Sequence, residues 1–235
     1  MSRKFKIANL IMDIPHKFAY TKDMLDKYEY FGDYGVEVTV KITADDFIKE
    51  SAMANGESDC FIENSAILRK LSNELLLNHN AMLFHGSTVM CGGKAYIFTA
   101  PSGTGKSTHT RLLKEYLGDK ITYVNDDKPI LKVEGDRIMV YGSPWNGKHG
   151  LGENTCAPLE AICLVSRGET NEITKVSPVS FMQILFEQSM GFDNEVLAGK
   201  VLEVLSLVMS TAKFYLLKCN MDISAAKTSY EGMMI

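Results

Sequence analysis

Within this 235-residue chain, three groups of residues are of the types that phosphoryl chemistry uses, and they lie close together. Ala100–Thr108 reads Ala-Pro-Ser-Gly-Thr-Gly-Lys-Ser-Thr, the P-loop pattern with Ala100 in place of its first glycine. Gly103 and Gly105 permit turns closed to other residues, so the backbone of Ser102, Gly103, Thr104, Gly105, Lys106, Ser107 and Thr108 can cradle a polyphosphate. Lys106 then serves the β- and γ-phosphates and the Ser107 hydroxyl serves Mg²⁺, so ATP with Mg²⁺ is the expected ligand. Asp126 and Asp127 follow soon after. One carboxylate can complete the metal shell while the other takes the proton of an attacking hydroxyl. Adjacent strand residues face opposite ways, so the two acids are expected to do different jobs. His85 precedes the P-loop by one strand; on its type alone it is more often a satisfied core residue than a functional one.

These residues need elements to hold them. Lys94–Ala100 is apolar and β-branched enough for a buried strand, and the residues from Ser107 suit an amphipathic helix. Leu83–Cys91 reads as a strand carrying His85, joined through Gly92–Gly93 to the P-loop strand as a hairpin. Ile121–Asp127 is a third strand with the acid pair at its end. Beyond a hairpin turning at Glu134–Asp136 comes a glycine-rich stretch, Gly142–Gly152, expected to form a lid or substrate loop with Trp145, Asn146 and Lys148; it also carries His149, read as a structural or surface residue.

Further along, Leu159–Gly168 and Asn171–Ser177 read as paired strands. Two helices follow, the second capped by Asp193 or Asn194, then a strand at Lys213–Asn220 and a last helix. Upstream, a helix is expected over Asn64–Asn78, capped by Asn64 or Ser65. Residues 1–63 read as a β-rich N-terminal part, with strands at Lys4–Ile14 and Val36–Thr43, and residues 64–235 as the P-loop core. Phe18, Tyr20, Tyr28, Tyr30, Phe31 and Tyr34 are expected to pack.

Composition narrows the partners. Lys and Arg number 25 against 29 Asp and Glu, for a net charge of −4 with no basic cluster, which speaks against nucleic acid and for a peptide or small molecule. The five cysteines are scattered without a C-x-x-C pair, as expected of free thiols in a reducing compartment. The basic, briefly apolar start is interrupted by Asp13 and Pro15, and no stretch is long and apolar enough to span a bilayer. A cytoplasmic protein without a membrane partner is expected.

His85-Gly-Ser-Thr-Val, the P-loop and Val124-Asn-Asp-Asp, in this order and at this spacing, resemble the HPr kinase/phosphorylase and phosphoenolpyruvate carboxykinase superfamily. Within it they are most similar to the small HPr-kinase-like peptide serine kinases of bacterial peptide-maturation clusters. The likeness runs from Leu83 to Arg167 and takes in Pro144-Trp-Asn-Gly-Lys148, similar to a P-W-x-G-K-like segment of the family. It implies an α/β fold with a mixed P-loop sheet and flanking helices. The implied activity is an ATP- and Mg²⁺-dependent kinase acting on a Ser or Thr hydroxyl of a peptide or small protein, a precursor peptide among the candidates. It implies Asp126 as general base, Asp127 as the metal-side acid, and His85 at the transferring phosphate. Ser107 is followed by Thr108, as in the carboxykinases, where HPr kinases carry an acid. Two other readings stay open: a regulatory module that binds ATP or ADP without turnover, and a small-molecule phosphotransferase related to carboxykinase. The second calls for an arginine near Lys148, which the loop itself lacks. Oligomeric state is also open.

Overall fold

The N-terminal apolar run is broken in two by its own turn. Ala8 and Asn9 take φ of 52° and 59°, the paired left-handed values of a tight hairpin, so Lys4–Ile14 becomes β1 (Lys4–Ile7) and β2 (Leu10–Asp13). This computed structural model describes residues 3–190 and 193–235. Val36–Thr43 contributes only a two-residue strand, β4 (Val38–Thr39), parallel to β2, whose pairing ends before Pro15. With β3 (Glu29–Tyr30) the sheet order is β3-β1-β2-β4.

Helices fill more of this region than expected. α1 (Ala19–Leu25) has no side-chain cap of its own; Glu63 supplies one, accepting the Lys17 and Phe18 amides and the Thr21 hydroxyl. α2 (Ala44–Met53) opens on a capping box between Thr43 and Asp46. Of the six aromatics expected to pack, Tyr28 is fully buried, whereas Tyr20 on α1 and Phe31 and Tyr34 beyond β3 lie open.

α3 begins at Asp59 and runs to Asn78, so the boundary expected between residues 63 and 64 falls inside a helix and Ser58 is the N-cap. Its apolar face explains the continuity. Ile67, Leu71 and Leu75 share one buried cluster with Phe5 and Met12 of the small sheet and with Ile130, Tyr141 and Trp145 of the core.

The core is a mixed sheet of nine strands among the described residues: β5 (Ala81–Leu83), β6 (Ser87–Cys91), β7 (Lys94–Thr99), β8 (Ile121–Asn125), β9 (Ile130–Glu134), β10 (Arg137–Tyr141), β11 (Cys156–Arg167), β12 (Glu172–Val176) and β13 (Lys213–Cys219). Strands β5-β9-β10-β11-β7-β6-β8 are neighbours in that order, and β13 lies on the other side of the long β11. β7 and β13 run parallel to β11, while β6 is antiparallel to both β7 and β8. The hairpin expected between Leu159–Gly168 and Asn171–Ser177 does not form. β12 pairs with β13 instead, because β13 takes the place beside β11.

Alternation along the strands makes two apolar faces. Ile97, Ile162 and Phe214 face α5 (Met182–Gln188) and α6 (Glu195–Thr211), the latter capped by Asn194 through the Leu197 amide. Phe98, Cys163 and Tyr215, each the next residue along, face α4 (Lys106–Leu117) and α7 (Ile223–Met233). The result is an α/β fold with helices on both sheet faces. Among the described residues no helix is long and apolar enough to cross a membrane.

Candidate active site

β7 delivers the chain to the P-loop and α4 leads it away. Gly105, the N-cap of α4, has φ of 126°, a conformation that side chains with a Cβ rarely adopt. Lys106 is buried and its Nζ donates to Ala100 O at 3.0 Å, which leaves two further N–H donors. Burial pushes this amine's pKa down.

The acid pair is aimed by a residue that the sequence reading passed over. Asn125, fully buried at the end of β8, accepts the Asp127 amide (2.8 Å) and the Lys128 amide (2.6 Å) on Oδ1. Its Nδ2 holds Ser143 and Asn146 Oδ1 (2.7 Å). This Asx turn bends the backbone so that the two carboxylates part. Asp126 is 5% exposed; Ser87 Oγ donates to it at 2.5 Å and the Ser107 hydroxyl also bears on it. Burial raises Asp126, and those two hydroxyls work against the rise. The Asp127 side chain is 32% exposed and faces Lys128 Nζ at 3.0 Å and His85 Nε2 at 3.5 Å.

His85 does not lie within a strand, as expected, but in the link between β5 and β6. The chain there leaves the partner of β5, which is β9, to pair with β7 and β8. Three hydrogen bonds to the backbone pin the crossing: His85 N to Gln188 O (2.7 Å), Gly86 N to Asp127 O (3.1 Å), and Thr99 Oγ1 to His85 O (3.0 Å). Burial, then the Lys128 and Lys106 cations, push His85 down to about 4, so the ring is neutral at pH 7. Its Nδ1 lies 2.7 Å from Gln188 Oε1, which can only accept. With the Gln188 amide in this orientation Nδ1 carries the ring proton, and Nε2 presents a bare lone pair to the Asp127 carboxylate. Two acceptors facing each other call for a donor or a cation between them.

The Gly142–Gly152 stretch divides in two. Trp145 and Asn146 turn away from the cleft, contrary to expectation, because the indole finds an apolar bed and a buried acceptor. Its Nε1–H donates to Asn64 Oδ1 at 2.8 Å, and Asn146 is locked to Asn125. Lys148 and His149 stay on the cleft. Gly147 joins the halves at φ 66°, where a Cβ would come within 3.2 Å of Asp127 Cβ. The cleft has a volume of about 530 Å³ and brings together Ser102, Gly103, Gly105 to Thr108, His85 and both acids. Arg111, one turn into α4, lines it too. An arginine at that helical spacing from Ser107 is the signal that could have revealed it.

No protein-family model matches the chain, and no curated protein matches it. Among solved structures it is similar to the Hpr(Ser) kinase/phosphatase from Coxiella burnetii, at 13% identity over 55% of this chain and 94% of that one. The TM-score is 0.29, too slight a likeness to bear on the site, whose chemistry stands on its own residues.

Proposed function

We propose that this protein is an ATP- and Mg²⁺-dependent kinase that transfers the γ-phosphate to a Ser or Thr hydroxyl of a peptide or small protein. One observation carries the reading: a P-loop with its buried Lys106 shares a single cleft with two carboxylates in different surroundings. Ser107 and Asp126 offer two hard oxygen donors side by side, which suits Mg²⁺. Among the described residues no three His, Cys, Asp or Glu side chains form a metal cage. A kinase site needs only one or two carboxylates, the rest of the shell coming from phosphate and water. Bound there, Mg²⁺ supplies neutralisation of phosphate charge.

The geometry favours exchanging the two roles that the resemblance implies. Asp126, beside Ser107, serves the metal side. Asp127, opposite the bare Nε2 of His85, receives the hydroxyl hydrogen of the acceptor. Lys106 and the loop amides hold the phosphates, and Lys148 lies where an acceptor enters. A cytoplasmic setting fits ATP as donor.

The test pairs binding with transfer. In calorimetric titrations, Asp126→Asn should lose the Mg²⁺-dependent gain in ATP affinity, and Asp127→Asn should keep it. With γ-labelled ATP and a Ser/Thr peptide library, Asp127→Asn should lower transfer by about 10²–10⁴-fold, with Lys106→Ala as the blank. Full transfer by Asp127→Asn to a confirmed acceptor would show the base assignment to be wrong. Mg²⁺-dependent ATP binding with no labelled peptide would favour the regulatory module. A small anionic acceptor is the second reading, and Arg111, lining the same cleft as Lys148, is the observation in its favour.

A further inference from the structure

A second cavity, of about 540 Å³, shares Gly103, Gly105 and Thr108 with the cleft but opens on the opposite flank of the P-loop. It lies between the start of α4 and the C-terminal ends of β11 and β13. Sheet order makes these flanks distinct: β6 and β8, with the acids, lie on one side of β7, and β11 and β13 lie on the other. A polyphosphate in the loop must point its transferable end at Asp126, Asp127 and His85. Its organic end then leaves over β11 and β13, outside the carboxyl ends of parallel strands, where α/β sheets take their ligands.

The walls on that flank are of the right kind. Leu112, Val165, Cys219 and Met221 make an apolar lining, which inorganic phosphate has no use for and an aromatic base does. Met221 is 79% exposed, a large apolar side chain at the rim with nothing over it. His109 also lines the cavity and is almost fully buried. The hydrogen of Ser229 Oγ goes to Ala226 O (3.0 Å), so His109 Nε2–H donates to Ser229 (2.9 Å). Its Nδ1 is then an acceptor without a partner among the described residues.

We propose that this cavity seats the base and ribose of the nucleotide whose phosphates the P-loop holds, by apolar contact and with little discrimination between adenine and guanine. Two polar side chains on this flank that could read a base edge, Asn220 and Arg167, are engaged elsewhere. Asn220 bonds Glu169 O and the Asp222 amide, and Arg167 donates to Gly103 O (2.7 Å) and Thr104 O (3.4 Å). The proposal rests on the P-loop grip of the kinase reading, and its test separates the two.

Dissociation constants for ATP, GTP and inorganic tripolyphosphate, each with Mg²⁺, are measured on the wild-type chain and on Met221→Ala, Leu112→Ala and Lys106→Ala. ATP and GTP should agree within about threefold and bind at least about tenfold more tightly than tripolyphosphate. Met221→Ala and Leu112→Ala should weaken both nucleotides by roughly fivefold and leave tripolyphosphate unchanged. Lys106→Ala should weaken all three. Nucleotides no tighter than tripolyphosphate, nucleotide affinities untouched by both apolar variants, or more than about tenfold preference for one purine would each overturn the seat while leaving the grip intact. Failure of all three ligands to bind the wild type overturns the grip and the seat with it.

Discussion

The bond between Trp145 and Asn64 joins the loop beside the acids to helix α3, and Asn64→Leu tests it without changing the volume much. The indole is 4% exposed and its N–H has one acceptor, Asn64 Oδ1 at 2.8 Å. Leucine removes that acceptor and leaves a buried donor unpaired, a loss of about 1–3 kcal/mol. For a chain of this length that corresponds to a fall in Tm of about 3–10 °C. Trp145 is the only tryptophan, so its emission reports this one place during urea unfolding. A double-mutant cycle completes the assay. In a Trp145→Phe background, followed by circular dichroism, Asn64→Leu should change stability by much less, since no indole N–H remains to be stranded. The same variant should loosen Gly147 over Asp127, because the Trp145 carbonyl also holds the Lys128 amide (3.1 Å). The reasoning is refuted if Asn64→Leu leaves the unfolding midpoint where it was, or if its effect is equal in both backgrounds.

Two further predictions concern other parts of the molecule. Gln188→Leu should lower phosphate transfer by about tenfold or more, with Kd for ATP unchanged and the pH profile altered, because His85 loses the acceptor that holds its ring proton on Nδ1; Gln188→Glu, which keeps an acceptor there, should restore most of it. At Asp46, partial burial pushes the carboxyl up, but the Thr43 amide and hydroxyl and the Lys70 ammonium outweigh it and hold the group down at about 2. Its stabilisation is therefore complete above the ordinary value of 3.8 and lost as pH falls from there through about 2. Asp46→Asn should unfold about 1–2 kcal/mol more easily at pH 7, with the two stability curves meeting below about pH 2.

The parts of the site legible in the sequence are those coded by near neighbours. Gly103 and Gly105 announce a loop, Gly92–Gly93 a hairpin, and the closeness of Asp126 and Asp127 to the P-loop helix places them by the next strand, although the strand ends at Asn125 and the acids sit in the turn just beyond it. What stayed hidden depends on partners far along the chain. Gln188 is 103 residues from His85, and nothing in Phe-Glu-Gln-Ser around it marks the end of α5 as its support. Leu83–Cys91 looks like one strand because apolar and β-branched residues flank His85–Ser87 on both sides. It is two, since β9 claims the first half and β7 and β8 the second. The glycine-rich stretch reads as mobile, yet Trp145 has too much apolar surface to leave in water once α3 offers a bed and an acceptor. The β12 pairing failed likewise: a turn-like Arg167–Asn171 is a local signal, whereas the place beside β11 is decided by β13, which arrives after two helices.

The antiparallel strand between the P-loop strand and the acid strand has a consequence for the chemistry. β7 and β8 run the same way and both end at the cleft, Ser87 facing Phe98 and Thr88 facing Asn125. Because β6 runs against them, its beginning is what meets the cleft. The residues entering it, His85 to Ser87, therefore arrive where a parallel strand would have offered only its exit. Ser87 reaches Asp126 and His85 reaches Asp127, so one short segment addresses both carboxylates and keeps them in different surroundings. A helical crossover into β7 would have placed no side chain in that gap. The hairpin turn at Gly92–Gly93 is thus what gives the P-loop a third wall, and the different surroundings of the two acids follow from it.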